Sequence, residues 1–146
     1  MTFSKEWDKI YADNKQMNKW PFTDLVSYII RYSPPYGNSF QVLELGCGSG
    51  PNIPFFKGLG VKYYAIEGSS TIVARLWEVF PELQENIVVG DFTKKIPFPH
   101  LFDLVVDRGS VTCNSTAAIK KSLRLIYEKL KPGGKFIGID WFSTLH

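Results

Sequence analysis

The amino-acid sequence predicts an α/β protein with a three-layer, doubly wound and mostly parallel sheet. Short apolar runs typical of buried strands alternate with segments whose apolar residues recur at helical spacing. The polar residues of chemical interest directly follow these apolar runs, where a parallel sheet presents its ligand-binding edge. The chain has 146 residues, which is enough for a single domain of this kind.

Two helices are predicted before the first strand, so residues 1–36 form an N-terminal helical segment. Ser4 can cap the first helix, in which Trp7, Ile10 and Tyr11 share one face. Pro21 suits the first turn of the second helix. The apolar stripe of that helix consists of Phe22, Leu25, Val26, Ile29 and Ile30. A proline- and glycine-containing break then leads into the sheet domain, predicted at residues 37–146.

Strands and helices alternate through the sheet domain. Strands are predicted at 41–45, 62–67, 86–91, 102–107 and 135–140. Helices are predicted at 52–57, at 70–80, and from a cap at Asn114 or Ser115 to the turn at 131–134. Pro51 and Pro54 fit at the start of the first of these helices, because N–H groups in a first turn have no helical partner.

The composition is that of a globular protein, with 45% hydrophobic and 21% charged residues. The net charge of +3 is spread along the chain, and its densest basic clusters are Lys pairs, so nucleic acid is not an expected partner. No apolar run approaches the roughly 18 residues of a membrane span. The two cysteines, Cys47 and Cys113, form neither a metal-ligand pattern nor a disulfide framework, which favours a cytoplasmic location.

A glycine-rich loop, "ELGCGSG" at 44–50, follows the first strand and indicates a nucleotide-like ligand. A dinucleotide fingerprint has glycines at relative positions 1, 3 and 6. Counting from Gly46, the sixth position is Pro51, which cannot replace glycine. An NAD-dependent oxidoreductase is therefore a much weaker alternative. The spacing is instead acidic-x-G-x-G-x-G, with Glu44 as the acidic residue.

Five motifs in order make the sequence similar to class I S-adenosylmethionine-dependent methyltransferases, which have a Rossmann-like fold. They are "VLELGCGSG" (42–50), "AIEGS" (65–69), "GDF" (90–92), "FDLVVDRG" (102–109) and "LKPGGKFIGID" (130–140). The resemblance covers about residues 40 to 140. It implies S-adenosyl-L-methionine as cofactor and methyl transfer as the reaction.

The resemblance also implies roles for residues of this chain. The implied cofactor-binding residues are Glu44, Gly46, Cys47, Gly48, Gly50, Glu67, Gly68, Ser69, Asp91, Phe92 and Asp107. Glu67 would accept hydrogen bonds from both ribose hydroxyls and would disfavour a 2′-phosphate. Glu44 either attracts the amino group of the ligand or braces the glycine loop. Asp91 and Phe92 would contact adenine, and Ser69 would contact adenine or cap the following helix.

The acceptor is expected to be a small molecule. Relatives that methylate nucleobase amines carry [Asp/Asn]-Pro-Pro-[Tyr/Phe] after the fourth strand, whereas this chain has Asp-Arg-Gly-Ser at 107–110. The transfer is an in-line displacement that depends on positioning, so no catalytic residue is predicted. Arg108 would bind a substrate anion or pair with a carboxylate. The substrate candidates are Tyr11, Trp20, Arg108, Trp141 and His146, and the aromatic N-terminal segment is either a lid or part of the core.

The resemblance breaks after the fifth strand. The usual fold has seven strands, and this chain lacks the last two, ending six residues after the fifth. We therefore expect either a truncated version of a longer protein or a partner chain, such as a second copy, that covers the exposed strand edge. The alternative function is a cofactor-binding but inactive domain that acts with a partner chain.

Overall fold

The computed structural model describes Lys5, Asp8, Lys9 and residues 19–141. The strands are β1 (Gln41–Leu45), β2 (Lys62–Glu67), β3 (Ile87–Val89), β4 (Phe102–Arg108) and β5 (Leu130–Ile139). The helices are α1 (Thr23–Tyr32), α2 (Ile53–Gly58), α3 (Ser70–Val79) and α4 (Thr116–Lys129). Short 3₁₀ turns lie at Pro81–Leu83 and Val111–Cys113, and Lys5, Asp8 and Lys9 are helical.

The five strands form one parallel sheet in the order β3-β2-β1-β4-β5. The predicted α/β fold class with a parallel sheet is confirmed. The strand order reverses between β1 and β4, so their carboxyl ends flank the point at which such sheets bind ligands. The glycine-rich loop leaves β1 at this point, and the loop that begins at Gly109 leaves β4 beside it.

Both faces of the sheet are covered, because alternate residues of each strand point to opposite sides. On one face, Val42, Ala65 and Leu104 pack with α1, α2 and α3. On the other, Leu43, Ile66 and Val105 pack with Ile126 of α4 and with apolar residues of the loop after β3. Glu44 and Tyr63 alternate with the second set along β1 and β2, so they lie on the same face as Val42.

Helix α1 begins at Thr23, two residues after Pro21, and Phe22 is its N-cap. Leu25 and Ile29 are fully buried, as the predicted stripe requires. The inclusion of Ile30 in that stripe was wrong, since its side chain is 47% exposed. It follows Ile29 by one residue, and a 100° step around the helix carries it away from the sheet.

The strand boundaries differ most from the prediction in β3, which spans Ile87–Val89 rather than 86–91, and at the start of β5. Leu130 already pairs with Phe102, so β5 begins directly after α4 rather than at Lys135. The register then shifts before Leu104 pairs with Lys135, and the predicted turn at 131–134 is therefore an irregularity within the strand. Of the two predicted caps of α4, Ser115 is the one used, because its hydroxyl accepts from the Ala118 amide at 3.2 Å.

The outer edge of β5 has no partner strand among the described residues. An open groove of about 850 Å³ runs beside this edge, lined by Tyr28 and Tyr32 of α1 and by Phe136 and Trp141. Within the described part of the chain, no helix is long and apolar enough to cross a bilayer.

Candidate cofactor site

The glycine-rich loop has a backbone that favours glycine at three alternate positions. The φ angles are +68° at Gly46, +56° at Gly48 and +82° at Gly50, all in the left-handed region. At Gly46 space is limiting as well, since a Cβ there would lie 2.1 Å from Ser110 Oγ. The Ser110 hydroxyl donates a long hydrogen bond of 3.4 Å to the Gly46 carbonyl. The loops after β1 and β4 are therefore in direct contact.

Glu67 ends β2 with its carboxylate held by two backbone amides. The Gly48 N–H donates to Oε1 at 3.1 Å and the Ser69 N–H donates to Oε2 at 2.6 Å. Burial raises the pKa of this carboxyl, and the amide donors oppose that effect. Each carboxylate oxygen can accept a further hydrogen bond. The structure thus brings Glu67 together with the glycine loop and the start of α3.

Glu44 lies in a buried polar network that the sequence did not reveal. The Tyr63 hydroxyl donates to Oε1 at 2.6 Å, and the Asn52 side-chain amide donates to Oε2 at 2.9 Å. Burial raises the pKa of Glu44 to about 7. Asn52 Oδ1 in turn accepts from the Phe22 amide at 3.0 Å. Of the two roles considered for Glu44, this geometry matches the bracing one, in which the carboxylate joins β1, β2 and the end of the glycine loop.

Asp91 and Phe92 follow β3 at the same end of the sheet. Asp91 Oδ1 accepts from both the amide and the hydroxyl of Thr93, which fixes a turn and leaves Oδ2 without a hydrogen bond among the described residues. The Phe92 ring is buried, and its edge is 4.0 Å from the position of a Cβ on Gly46. Phe92 therefore lies against the glycine loop, and its contact with adenine stays a prediction.

Asp107 is fully enclosed by protein donors. Its Oδ1 accepts from the amides of Ser110 and Val111 at 2.9 and 3.2 Å, and its Oδ2 accepts from Trp141 Nε1 at 2.8 Å. Burial raises the pKa of Asp107 to about 6, although these donors oppose the rise. Its cofactor-binding role stays a prediction. In this structure Asp107 joins the loop after β4 to Trp141, the second residue after β5.

Arg108 pairs with carboxylates, the second of its two predicted roles. Its Nε lies 3.1 Å from Asp24 Oδ1, and its terminal nitrogen lies 3.6 Å from Asp140. The guanidinium carbon lies 3.8 Å from the centre of the Phe22 ring, a cation–π contact. Arg108 thus joins the ends of β4 and β5 to the start of α1.

The remaining predicted residues lie near the loop, at an exposed position or outside the described residues. Cys47 is buried within the loop, where burial raises the pKa of its thiol. Ser69 is buried and caps α3, because its hydroxyl accepts from the Ile72 amide. Trp20 is 83% exposed. Trp7, Tyr11 and His146 lie outside the described residues.

Sequence reasoning missed Asn52, Tyr63 and Ser110 as contributors to the site, and also Asp8, which accepts a hydrogen bond from the Ser69 hydroxyl. Tyr63 and Asn52 stand 19 and 8 residues from Glu44. Tyr63 alternates with buried residues of β2, so strand periodicity and the pairing of β2 with β1 could have placed it beside Glu44. The other three carry no spacing signal, because their contacts depend on how loops meet in space.

A family profile described as a methyltransferase domain matches residues 43–138, from β1 to the end of β5. The chain therefore belongs to the methyltransferase domain family. A search of curated protein sequences finds no match. Several solved structures do resemble it.

The glycopeptide N-methyltransferase MtfA complexed with sinefungin is 27% identical, with a TM-score of 0.66 over 79% of this chain and 48% of its own. MtfA complexed with S-adenosyl-L-methionine gives the same identity and a TM-score of 0.65, over 79% of this chain and 52% of its own.

The amino pentose methyltransferase CalS10 from Micromonospora echinaspora, solved with S-adenosylmethionine, is 20% identical with a TM-score of 0.66, over 94% of this chain and 52% of its own. The [4+2]-cyclase SpnF is 18% identical with a TM-score of 0.71, over 92% and 58%. The similarity to CalS10 and to SpnF shows the fold alone. The chain spans about half the length of the structures it resembles.

Proposed function

We propose that the chain is an S-adenosyl-L-methionine-dependent methyltransferase that moves a methyl group to a small-molecule acceptor by in-line displacement. The observation that carries this proposal is the Glu67 carboxylate at the end of β2, oriented by amides of the glycine loop and of Ser69. It presents acceptor oxygens beside a loop without side chains at Gly46 and Gly48, as a ribose next to an amino-acid tail requires. MtfA, at 27% identity, was solved with S-adenosyl-L-methionine and with sinefungin, which supports the same ligand class here.

The residues around the loop fit this cofactor. Glu67 would accept from the ribose hydroxyls, and Phe92 would cover one face of adenine while Asp91 accepts from its amino group. Gly46, Cys47, Gly48 and Gly50 would lie along the methionine portion through their backbone. When bound, S-adenosyl-L-methionine supplies a methyl group already activated by its sulfonium. The protein then has to hold the acceptor in line, and such positioning can provide about 7–11 kcal/mol of the barrier.

A small-molecule acceptor is supported by the loop after β4. Its Asp107–Ser110 stretch lacks the two prolines typical of nucleobase-amine methylation. MtfA and CalS10 are named for a glycopeptide and an amino pentose acceptor. Trp141 and Trp20, together with Tyr11 and His146, remain the proposed substrate contacts. Arg108 is engaged by Asp24 and Asp140, so we propose that it orders the acceptor side rather than binding an anion.

Two further parts of the proposal concern the whole chain. Residues 1–36 would act as a helical lid segment over the sheet domain at 37–146, and the protein would be cytoplasmic.

A second candidate is a cofactor-binding domain without activity of its own that acts through a partner chain. The edge of β5, which has no partner strand among the described residues, and the groove beside it favour this candidate, because an exposed strand edge can pair with another chain. A second copy of the chain would be the simplest partner. SpnF, which this chain resembles in fold, is named as a cyclase, so this fold supports more than one reaction.

Calorimetric titration with S-adenosylmethionine, S-adenosylhomocysteine and NAD tests the ligand class. We expect both adenosyl ligands to bind and NAD not to bind. Glu67→Ala should weaken S-adenosylhomocysteine at least tenfold, since a hydrogen bond to a charged group contributes about 1.5–3 kcal/mol. The control is Glu85→Gln, which removes one carboxylate at an exposed position. Binding of NAD without binding of the adenosyl ligands would overturn the proposal.

Methyl transfer from labelled cofactor across a panel of amine, hydroxyl and thiol acceptors separates the two candidates. Transfer that depends on Glu67 supports the enzyme. If the chain alone binds the cofactor tightly but transfers no methyl group to any acceptor, the result favours the partner-dependent domain.

A further inference from the structure

A carboxylate from the N-terminal segment contacts the start of α3. Asp8 Oδ1 accepts from the Ser69 hydroxyl at 2.6 Å and from the Thr71 amide at 3.0 Å. These two bonds lower the pKa of Asp8 because they favour its ionised form. Asp8 stands 61 residues before Ser69 in the chain, and no motif pointed to it.

Ser69 connects this carboxylate to Glu67. Its amide donates to Glu67 Oε2 at 2.6 Å, its hydroxyl oxygen accepts from the Ile72 amide at 3.2 Å, and its hydroxyl proton goes to Asp8. Ser69 is fully buried. One residue therefore joins the carboxylate of Asp8, the first turn of α3 and the carboxylate at the end of β2.

Asp8 also accepts hydrogen bonds from two donors at the start of α3, the Ser69 hydroxyl and the Thr71 amide. The first amides of a helix have no partner within the helix and attract acceptors. With Asp8 present, the Thr71 amide is satisfied and the Ser69 hydroxyl has a single orientation. In the same turn, the Ser69 amide donates to one oxygen of Glu67, and the Gly48 amide donates to the other oxygen.

We propose that Asp8 is a positioning residue for the ribose end of the ligand, acting through Ser69 on Glu67. This inference rests on the proposed function, because it takes Glu67 as the ribose-binding carboxylate. Asp8 does not touch the ligand in this account. It keeps the turn that carries Glu67 in the arrangement that binds two hydroxyls at once.

The test measures binding of S-adenosylhomocysteine and of 5′-methylthioadenosine, which has the same nucleoside but no amino-acid tail. Asp8→Ala should weaken both ligands by a similar factor of about ten, because the turn that carries Glu67 would no longer be preorganised for binding. Asp8→Asn keeps an oxygen that can accept both bonds, so it should recover most of the affinity. Glu85→Gln, which removes an exposed carboxylate, should leave both affinities unchanged.

Amide hydrogen exchange in the ligand-free protein gives a second readout. The Thr71 amide should exchange faster in Asp8→Ala than in the parent or in Asp8→Asn, because its acceptor is gone. If Asp8→Ala loses its native circular dichroism, Asp8→Ser replaces it under the same tenfold criterion.

The outcomes distinguish the two proposals. A parent chain that binds neither ligand overturns the proposed function and, with it, this inference. A parent that binds S-adenosylhomocysteine while Asp8→Ala binds it equally well overturns the role of Asp8 alone. A loss confined to S-adenosylhomocysteine, with methylthioadenosine unaffected, would place the effect at the amino-acid end and would also refute it.

Discussion

The Tyr63 hydroxyl donates a 2.6 Å hydrogen bond to Glu44 inside the core between β1 and β2. Both residues are almost fully buried, and Asn52 is the other side-chain donor to the same carboxylate. A buried carboxylate is tolerated only when donors replace the water it has lost. The base of the glycine loop therefore depends on a polar cluster whose charge varies with pH.

Tyr63→Phe removes one of the two side-chain donors while keeping the ring in place. We expect a loss of unfolding free energy of about 1.5–3 kcal/mol at pH 8, where Glu44 is ionised. At pH 5 the loss should fall to about 0.5–1.5 kcal/mol, the range of a bond between neutral groups. Urea denaturation at both pH values measures this. Tyr64→Phe is the control, and equal losses from the two variants would contradict the role of Tyr63.

The stability of the fold should decrease as pH rises from about 4.5 to about 7. Glu44 has its pKa raised to about 7 by burial, so the native state holds a proton that the unfolded chain releases above its usual pKa of 4.5. The stabilisation is full below pH 4.5 and is lost by about pH 7, and its size is on the order of 3 kcal/mol. Asp107, raised to about 6, contributes in the same direction.

Glu44→Gln tests this assignment, because glutamine cannot ionise and the Tyr63 hydroxyl can rotate to accept from its amide. Urea midpoints measured from pH 4.5 to 8 should vary less in this variant than in the parent. The exposed substitution Glu85→Gln should leave the parent profile intact. An unchanged profile in Glu44→Gln would show that other groups control the pH dependence.

Gly46→Ala should damage the glycine loop more than the matched change Gly37→Ala. Both glycines have positive φ, which costs alanine roughly 1–2 kcal/mol, but only at Gly46 would the Cβ meet another atom closely. Displacing Ser110 should add about 1–3 kcal/mol. Urea denaturation should give the larger loss for Gly46→Ala. Adding Ser110→Gly should recover the crowding part alone, and equal losses at the two glycines would contradict the contact.

Trp141→Phe removes the indole donor to Asp107 and keeps an aromatic ring against Phe136. We expect a loss of about 1.5–3 kcal/mol at pH 8 that shrinks below pH 6 as Asp107 takes up a proton. Denaturation followed by circular dichroism measures it, because the substitution alters the fluorescence. Trp20→Phe, at an exposed site, should change little. Similar small effects from both tryptophans would mean that the bond to Asp107 is not stabilising.

The fold was predictable because its signals are local and repeated. Each buried strand shows as a short apolar run, and Ser69 and Ser115 cap helices at positions the sequence marks. The parallel sheet follows from the alternation of these elements. The start of β5 was misplaced because Pro132 and the following glycines resemble a helix stop, whereas Leu130 already pairs with Phe102 across the sheet.

The site was predictable only as far as it lies directly after strands. Glu67, Gly46 and Phe92 come together because the carboxyl ends of parallel strands share one edge. The partners of these residues were not predictable. Asn52 reaches Glu44, Trp141 reaches Asp107 and Asp8 reaches Ser69 through the way loops pack, for which a single sequence carries no periodic signal.

The bond from the Phe22 amide to Asn52 has a consequence for proline placement. Position 21 already carries a proline, and it is harmless there because its missing N–H has no part in the network. A proline at position 22 would have no N–H, so Asn52 Oδ1 would lose the hydrogen bond that it accepts from that amide. The amide group of the same Asn52 side chain also donates to Glu44. Moving the proline from position 21 to position 22 would therefore disturb the Glu44 carboxylate on β1 through Asn52. No side chain that contacts Glu44 would itself be changed.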